Sequence, residues 1–413
     1  MIRHLFKLVW NRKRTNALII LEIFFSFLVL FVVGTLGLYL WDNVQRPLGF
    51  SYERVLVATI DMEQSDDNTF DPAQVATFER LLRETQSLAP VEAAAGAIIV
   101  PYSLGGYNGS WKVNGRRVET EFNEVTIGFK ETMGLHLLQG RWFQKGDEAL
   151  PWRPVVLNAA LAREVFGETD PIGKRFGDPS KEGTEPERRV VGVVSEFRCN
   201  GELSGPGNYT FMFKRVGLGE AAAAGGPGPG SSLSRPPRNL VVKVRPGTPV
   251  EFEEQLAKRL QAVAPAWSFV VKPLAQMRES SFRLRLTPLV AGAIVALFLM
   301  VMVGLGLIGV LWQNLLQRTR EMGLRRAAGA SRSSVHAQVL LEQMILTSFG
   351  VLLGVVLVAQ IPLLDLISFI RPKVFTGGIV LSMLSIYLLA ALCALYPSAM
   401  ASRVQPAEAL RYE

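Results

Sequence analysis

The stretch closest to a chemical motif is Gly167–Arg175, GETDPIGKR. A phosphate-binding loop reads G-x-x-x-x-G-K-[ST], so that backbone amides cradle phosphate and the hydroxyl reaches magnesium. Here the glycine spacing is one residue too long, Arg175 stands where the hydroxyl belongs, and Pro171 interrupts the turn. The segment is not expected to hold a nucleotide. His4, His136 and His336 are scattered, and Cys199 and Cys393 lie in polar and apolar surroundings respectively. Neither a metal site nor a disulfide framework is expected. No nucleophile elbow and no spaced His/carboxylate set is present, so no enzymatic chemistry and no directly bound cofactor are expected.

Two acids stand out because of where they fall. Glu22 and Glu342 lie inside or at the edge of long apolar runs. Acids in such places often mark proton paths. Both lie near a run's charged end, where a carboxylate can reach water or pair with an arginine, and a structural role is expected for both.

The densest cluster of charge is Arg318–Val335, RTREMGLRRAAGASRSSV, between two apolar runs. Arg318, Glu321, Arg325 and Arg332 fall on one helical face by their spacing. Glu321 precedes Arg325 by four residues, the favourable order for an ion pair. Gly329 is placed to end the helix in the left-handed conformation, and Ser331, Ser333 or Ser334 to cap the next one. The segment reads as a short rigid helix between two membrane helices. A tight, positively charged turn explains the arginines. A surface that docks a partner also explains Glu321, the glycines and the small-residue run.

These residues need elements to position them. Hydrophobic residues make up 49% of the 413-residue chain and charged residues 19%, below the roughly 25% usual for soluble domains. Mean hydropathy is +0.24 and the net charge +8. A spanning helix needs about 20 apolar residues, and four runs qualify: 17–40, 287–312, 335–361 and 379–400. The first is too long for a signal peptide core and lacks a small-x-small site after it, so it reads as an uncleaved anchor. Arginines and lysines near the helix ends set orientation. Arg3, Lys7, Arg12, Lys13 and Arg14 put segment 1–16 in the cytoplasm, and the hinge 313–334 and tail 401–413 join it. Segments 41–286 and 362–378 then lie outside. The basic balance therefore reads as membrane topology and not as nucleic-acid binding. Glycines at 350 and 354, and at 304, 306 and 309, let helices approach closely.

The outer segment carries two β-α-β patterns, at 52–101 and 239–273, by their 2- and 3.6-residue apolar periods. The fold class expected is a four-helix membrane protein with a large extracytoplasmic α+β domain. A porter-like subdomain at 41–102 and 238–286 would hold an inserted, mostly β subdomain at 103–237. That insert reads as short strands and turns, RPVVLNAALAREVFG among them. Residues 217–237 are Gly/Pro/Ala-rich and are expected to form a loop without a packed core.

The order of parts resembles the MacB/FtsX-type permeases of ABC transporters. Arg318–Ser331 fits the family pattern R-x-R-E-[IM]-G-[IL]-R-[RK]-A-[LA]-G-A-[ST] almost throughout. LVWNRKRTNALIILEI, LLQGRWF, VVLNAALAREVFGETDPIGKRF, RRVVGVVSEF, LLEQMILTSFGVLLG and VQPAEALRYE resemble further family segments, so the likeness covers nearly the whole chain. The glycine-rich loop departs from the pattern, as does the absence of a nucleotide-binding domain before the first helix. The resemblance implies a separate permease subunit, a second permease chain in a homo- or heterodimer, and a cytoplasmic ABC ATPase that uses the ATP. It leaves open a periplasmic adaptor and an outer-membrane channel. It implies an ATPase-coupling surface at Arg318, Arg320, Glu321, Gly323, Arg325, Arg326, Gly329 and Ala330. It also implies a stalk, around 41–47 and 272–285, that carries motion outward for export or efflux. Two alternatives share the topology: an FtsX-like regulator of an extracytoplasmic enzyme, and a LolC/LolE-like lipoprotein-release permease.

Overall fold

The computed structural model describes residues 13–62, 72–103, 105–113, 115–177, 187–203, 210–216, 236–327, 331–364 and 371–403, with backbone alone at 13–16, 72, 148, 314–327, 332, 335–336 and 396–403. The loop expected at 217–237 lies almost wholly outside them. The chain divides into two compact units, Asn43–Arg285 and the pair Met1–Asp42 with Leu286–Glu413.

Among the described residues, four helices are long and apolar enough to cross a membrane. They are α1 (Lys13–Val44), α6 (Leu274–Ala327), α7 (Arg332–Leu363) and α8 (Pro372–Arg403). Each extends beyond the run that announced it, because an apolar run marks only the stretch suited to a bilayer core and the helical backbone continues past it. The largest difference is α6. Its 54 residues run from the outer domain through the second apolar run and on through Ala327. The short separate helix expected at the hinge is instead the continuation of this one. No proline or glycine pair stops it between Trp312 and Ala327.

The outer unit is built on one ten-stranded sheet. Strands β1 (Val55–Asp61) and β2 (Val91–Ala97) flank α2 (Pro72–Gln86) in sequence; β9 (Asn239–Val244) and β10 (Ser268–Pro273) flank α5 (Phe252–Val263). β9 lies between β1 and β2, antiparallel to both, and β1 lies between β10 and β9. Two split β-α-β units thus interleave, the ferredoxin-like arrangement. Alternation sends Leu56, Ala58, Leu240 and Val242 to one face, under Phe78 and Leu81 of α2 and Leu256 and Leu260 of α5. Val55, Val57 and Val241 face the other side with Leu274 of α6.

The inserted residues continue this sheet. From β2 the order runs through β4 (Arg116–Val125), β8 (Phe211–Arg215), β6 (Arg153–Asn158), β7 (Arg188–Val194) and β5 (Leu137–Gly140), with β3 (Tyr107–Val113) paired to β4. The seam at β2–β4 is narrow. Asn123 closes it with its side chain, accepting from the Ile99 amide at 3.0 Å and donating to the Ile99 carbonyl at 2.7 Å. Val156, Val191, Phe211 and Phe213 of the insert share one core with Val55, Ala95 and Val241. The insert therefore shares both sheet and core with the first part. A short α3 (Phe129–Met133) packs Phe129 and Met133 into that core.

The stretch read as strands and turns at 153–167 is half helix. β6 leads into α4 (Ala159–Phe166), and β6 and β7 pair in parallel across it. Asn158 fixes the corner: its Oδ1 accepts from the amides of Leu161 at 3.0 Å and Phe211 at 2.9 Å. GETDPIGKR follows α4 and folds back on β7, where the Gly173 amide donates to the Val190 carbonyl and Arg175 bridges Arg189. A phosphate loop opens a helix; this segment instead runs onto β7.

Candidate functional site

Arg318, Arg320, Glu321, Gly323, Arg325 and Arg326 lie on the C-terminal part of α6, whose backbone is helical to Ala327. Gly329 and Ala330 lie outside the described residues. Ser331 is extended (φ −70°, ψ 155°) and its hydroxyl accepts from the Ser334 amide at 3.2 Å, capping α7 as the sequence suggested. This corrects one expectation: Arg332 opens α7 and does not share a helical face with Arg318, Glu321 and Arg325.

In the membrane unit the glycines receive neighbours from within the chain. A Cβ on Gly350 would lie 2.7 Å from Ile23 Cγ2, and one on Gly354 would meet the ring of Phe27, so α7 packs on α1 there. Gly304 faces Cys393 and Leu389 of α8, and Gly306 faces the Glu22 carboxylate of α1. Among the described residues nothing lies near Gly309, so its expected packing role finds no partner. Glu342 accepts from Gln338 Nε2, one turn earlier, at 3.2 Å. Cys199 and Cys393 are free and buried. No metal-holding group of His, Cys, Asp or Glu occurs among the described residues.

A densely bonded polar site of the outer unit lies elsewhere, in the segment Glu196–Leu203 that follows β7. Arg198 is fully buried. Its amide donates to the Leu48 carbonyl, and its Nη1 donates to the Asn43 carbonyl at 2.8 Å. Asn43 is in the last turn of α1, where carbonyls lack helical partners and a cation is favoured. Gly49 passes so close to the Glu196 carbonyl that no Cβ fits.

The same segment holds α6. Arg278 Nε donates to Glu202 Oε1 at 2.7 Å, and Tyr102 donates to Glu202 Oε2 at 2.9 Å. The Arg278 guanidinium lies over the rings of Tyr52 and Phe282, at 4.7 and 4.8 Å from their centroids. Two turns on, Arg285 donates to Asn200 Oδ1 at 3.2 Å, and Asn200 donates to Glu121 Oε1 at 3.0 Å. Burial pushes Glu121 up to about 7, against the opposing pull of Asn200 and Arg285. Burial, with Glu202 adding to it, pushes the Tyr102 hydroxyl far above its ordinary value. Tyr102 has φ +64°, a conformation a bulky residue adopts only under constraint. Its amide donates to the Cys199 carbonyl, and its ring fills the space a Cβ on Gly201 would need.

The family model for a MacB-like periplasmic core domain matches residues 17–261, and that for an FtsX-like permease C-terminal region matches residues 293–406. The chain belongs to the MacB/FtsX-type ABC permease family. The macrolide export ATP-binding/permease protein MacB of Bdellovibrio bacteriovorus is 24% identical over 82% of this chain and 49% of its own length. The uncharacterized ABC transporter permease YknZ of Bacillus subtilis is 25% identical over 70% of each chain. The chain spans about half the length of the MacB relative. The periplasmic region of MacB from Actinobacillus actinomycetemcomitans, a crystal structure, is 13% identical with a TM-score of 0.38 over 58% of this chain and 97% of that one. This MacB/FtsX-type permease is an inner-membrane protein with an extracytoplasmic domain.

The sequence drew attention to 41–47 and 272–285 but not to Glu196–Leu203, which bonds to Asn43 and to Arg278 and Arg285. EFRCNGEL looks like an ordinary polar turn between two strands. One available signal was the paired arginines of α6, seven residues apart and so on one helical face.

Proposed function

We propose that this chain is the permease subunit of an ABC transporter whose separate cytoplasmic ATPase drives its outer domain through the stalk, for export. The observation that carries this reading is the continuity of α6. One helix includes Leu274, buried in the outer domain's core, and the family hinge up to Ala327. At ~1.5 Å per residue it is about 80 Å long. A continuous helix transmits rotation or translation along its axis, whereas a broken one absorbs it.

By this reading the hinge, the N-terminus and the tail face the cytoplasm, following the positive-inside rule. Arg318, Arg320, Glu321, Gly323, Arg325, Arg326, Gly329 and Ala330 form the ATPase-docking surface. The ATPase uses the ATP. Two permease chains pair around two ATPase domains. The relatives named for macrolide export favour outward transport over regulation of an enzyme.

The test is co-purification with a co-encoded ABC ATPase, followed by ATP hydrolysis in nanodiscs for wild type and Glu321→Lys. The expected result is a stable complex whose hydrolysis rate falls at least tenfold in the variant while membrane insertion is kept. Unchanged coupling in a well-inserted Glu321→Lys chain would remove the hinge from the account.

A further inference from the structure

Residues of α1 and of α6 both bond to Glu196–Leu203, and they do so differently. On the α1 side the bonds are short, buried and made to backbone: Arg198 to the carbonyls of Asn43 and Leu48, and Glu196 against the backbone of Gly49. Nothing there can shift without repacking, because Arg198 and Asn43 are both fully buried. On the α6 side the bonds are made by long side chains from one stripe of the helix. Arg278 is about one-third exposed (32%), and the Arg285–Asn200 bond is longer, at 3.2 Å.

We infer that Glu196–Leu203 is a clasp, fixed to α1 through Arg198 and releasable from α6 through Glu202–Arg278 and Asn200–Arg285. The inference rests on the functional reading above and names the contacts that make and break during the cycle. Residues 278 and 285 are two turns apart on one face, so a modest swing of α6 about its anchored start at Leu274 parts both bonds together. Glu202 keeps its Tyr102 bond when Arg278 leaves, so the carboxylate is not stranded, and Arg278 can turn towards water from its exposed position. Tyr102 and Gly201, both at positive φ, hold the Glu202 turn in shape in either state. Strained residues gather at such switch points. Arg278, Glu202, Asn200 and Arg285 are positioning residues in this scheme, and none of them needs to touch transported material.

The experiment uses the full chain with its ATPase in nanodiscs. Spin labels go on Leu138 of β5 and Leu284 of α6, both exposed and both in the outer unit. Distances are measured by pulsed EPR without nucleotide and with ATP and vanadate. The wild type is expected to give two resolved distances, one in each condition. Arg278→Ala is expected to give one distance in both conditions, matching the released state. Arg278→Gln serves if the alanine variant does not fold. A structural role alone would lower melting temperature without abolishing the nucleotide-dependent shift. A wild-type complex that hydrolyses ATP yet shows one distance overturns the clasp and leaves the functional reading standing, as does an Arg278 variant that keeps both distances. A wild-type chain that binds no ATPase overturns the functional reading, and this inference with it.

Discussion

Glu121 is a buried carboxyl whose bonds run through Asn200 towards Arg285 of the stalk. Burial lets it keep its proton up to about pH 7, against an ordinary value of 4.5. The folded state then binds more protons than the unfolded one between those values, so its contribution to stability falls as pH rises through that window and is constant above it. Each unit of the window is worth at most ~1.4 kcal/mol. Glu121→Gln in the detergent-solubilised chain should raise the melting temperature at pH 8 and leave it unchanged at pH 5. An equal effect at both pH values would mean that Glu121 is ionised throughout. None of this was legible in the sequence. EFNEV alternates like any strand, and nothing in it says that Glu121 is buried while Glu119, two residues earlier, is exposed. Burial of a polar residue depends on partners about 80 residues away. The same holds for Arg198, whose partner Asn43 is 155 residues distant.

At the scale of elements, periodicity did most of the work. The four spans and both β-α-β units were readable because long apolar runs and clean 2- and 3.6-residue periods survive any tertiary context. The ends of elements were not, and α6 shows why. Its charged C-terminal third has good helix formers but too many charges for a membrane span, so the apolar run stops at Trp312 while the backbone continues. The glycines of the membrane unit were readable as contact points but not as partners. Gly354 is filled by Phe27 of α1, which is fully buried, whereas Gly309 meets nothing among the described residues. Gly354→Ala should therefore push α1 from α7 and cost about 1–3 kcal/mol. Gly309→Ala should cost nothing and gain up to ~1 kcal/mol of helix propensity. Thermal melting in detergent compares the two. Equal effects would show that the α1–α7 contact is not close-packed.

At the scale of the molecule, the resemblance carried the family and the sheet had to be seen. One porter-like subdomain and an inserted, mostly β subdomain were expected. They form one ten-stranded sheet with a shared core because Asn123 and Thr126 stitch β2 to β4. A continuous sheet favours movement as one body, and under the proposed clasp one set of contacts would suffice to hold it. The account's central claim is that nucleotide binding at the hinge is felt at Glu196–Leu203 through α6. Hydrogen exchange of segments 196–203 and 274–285, in the full complex in nanodiscs with and without ATP and vanadate, tests this most directly. The account predicts several-fold faster exchange at both segments in one nucleotide state, with Asn43 and its neighbours in α1 unchanged. Identical exchange in both states, in a complex that is hydrolysing ATP, would contradict it.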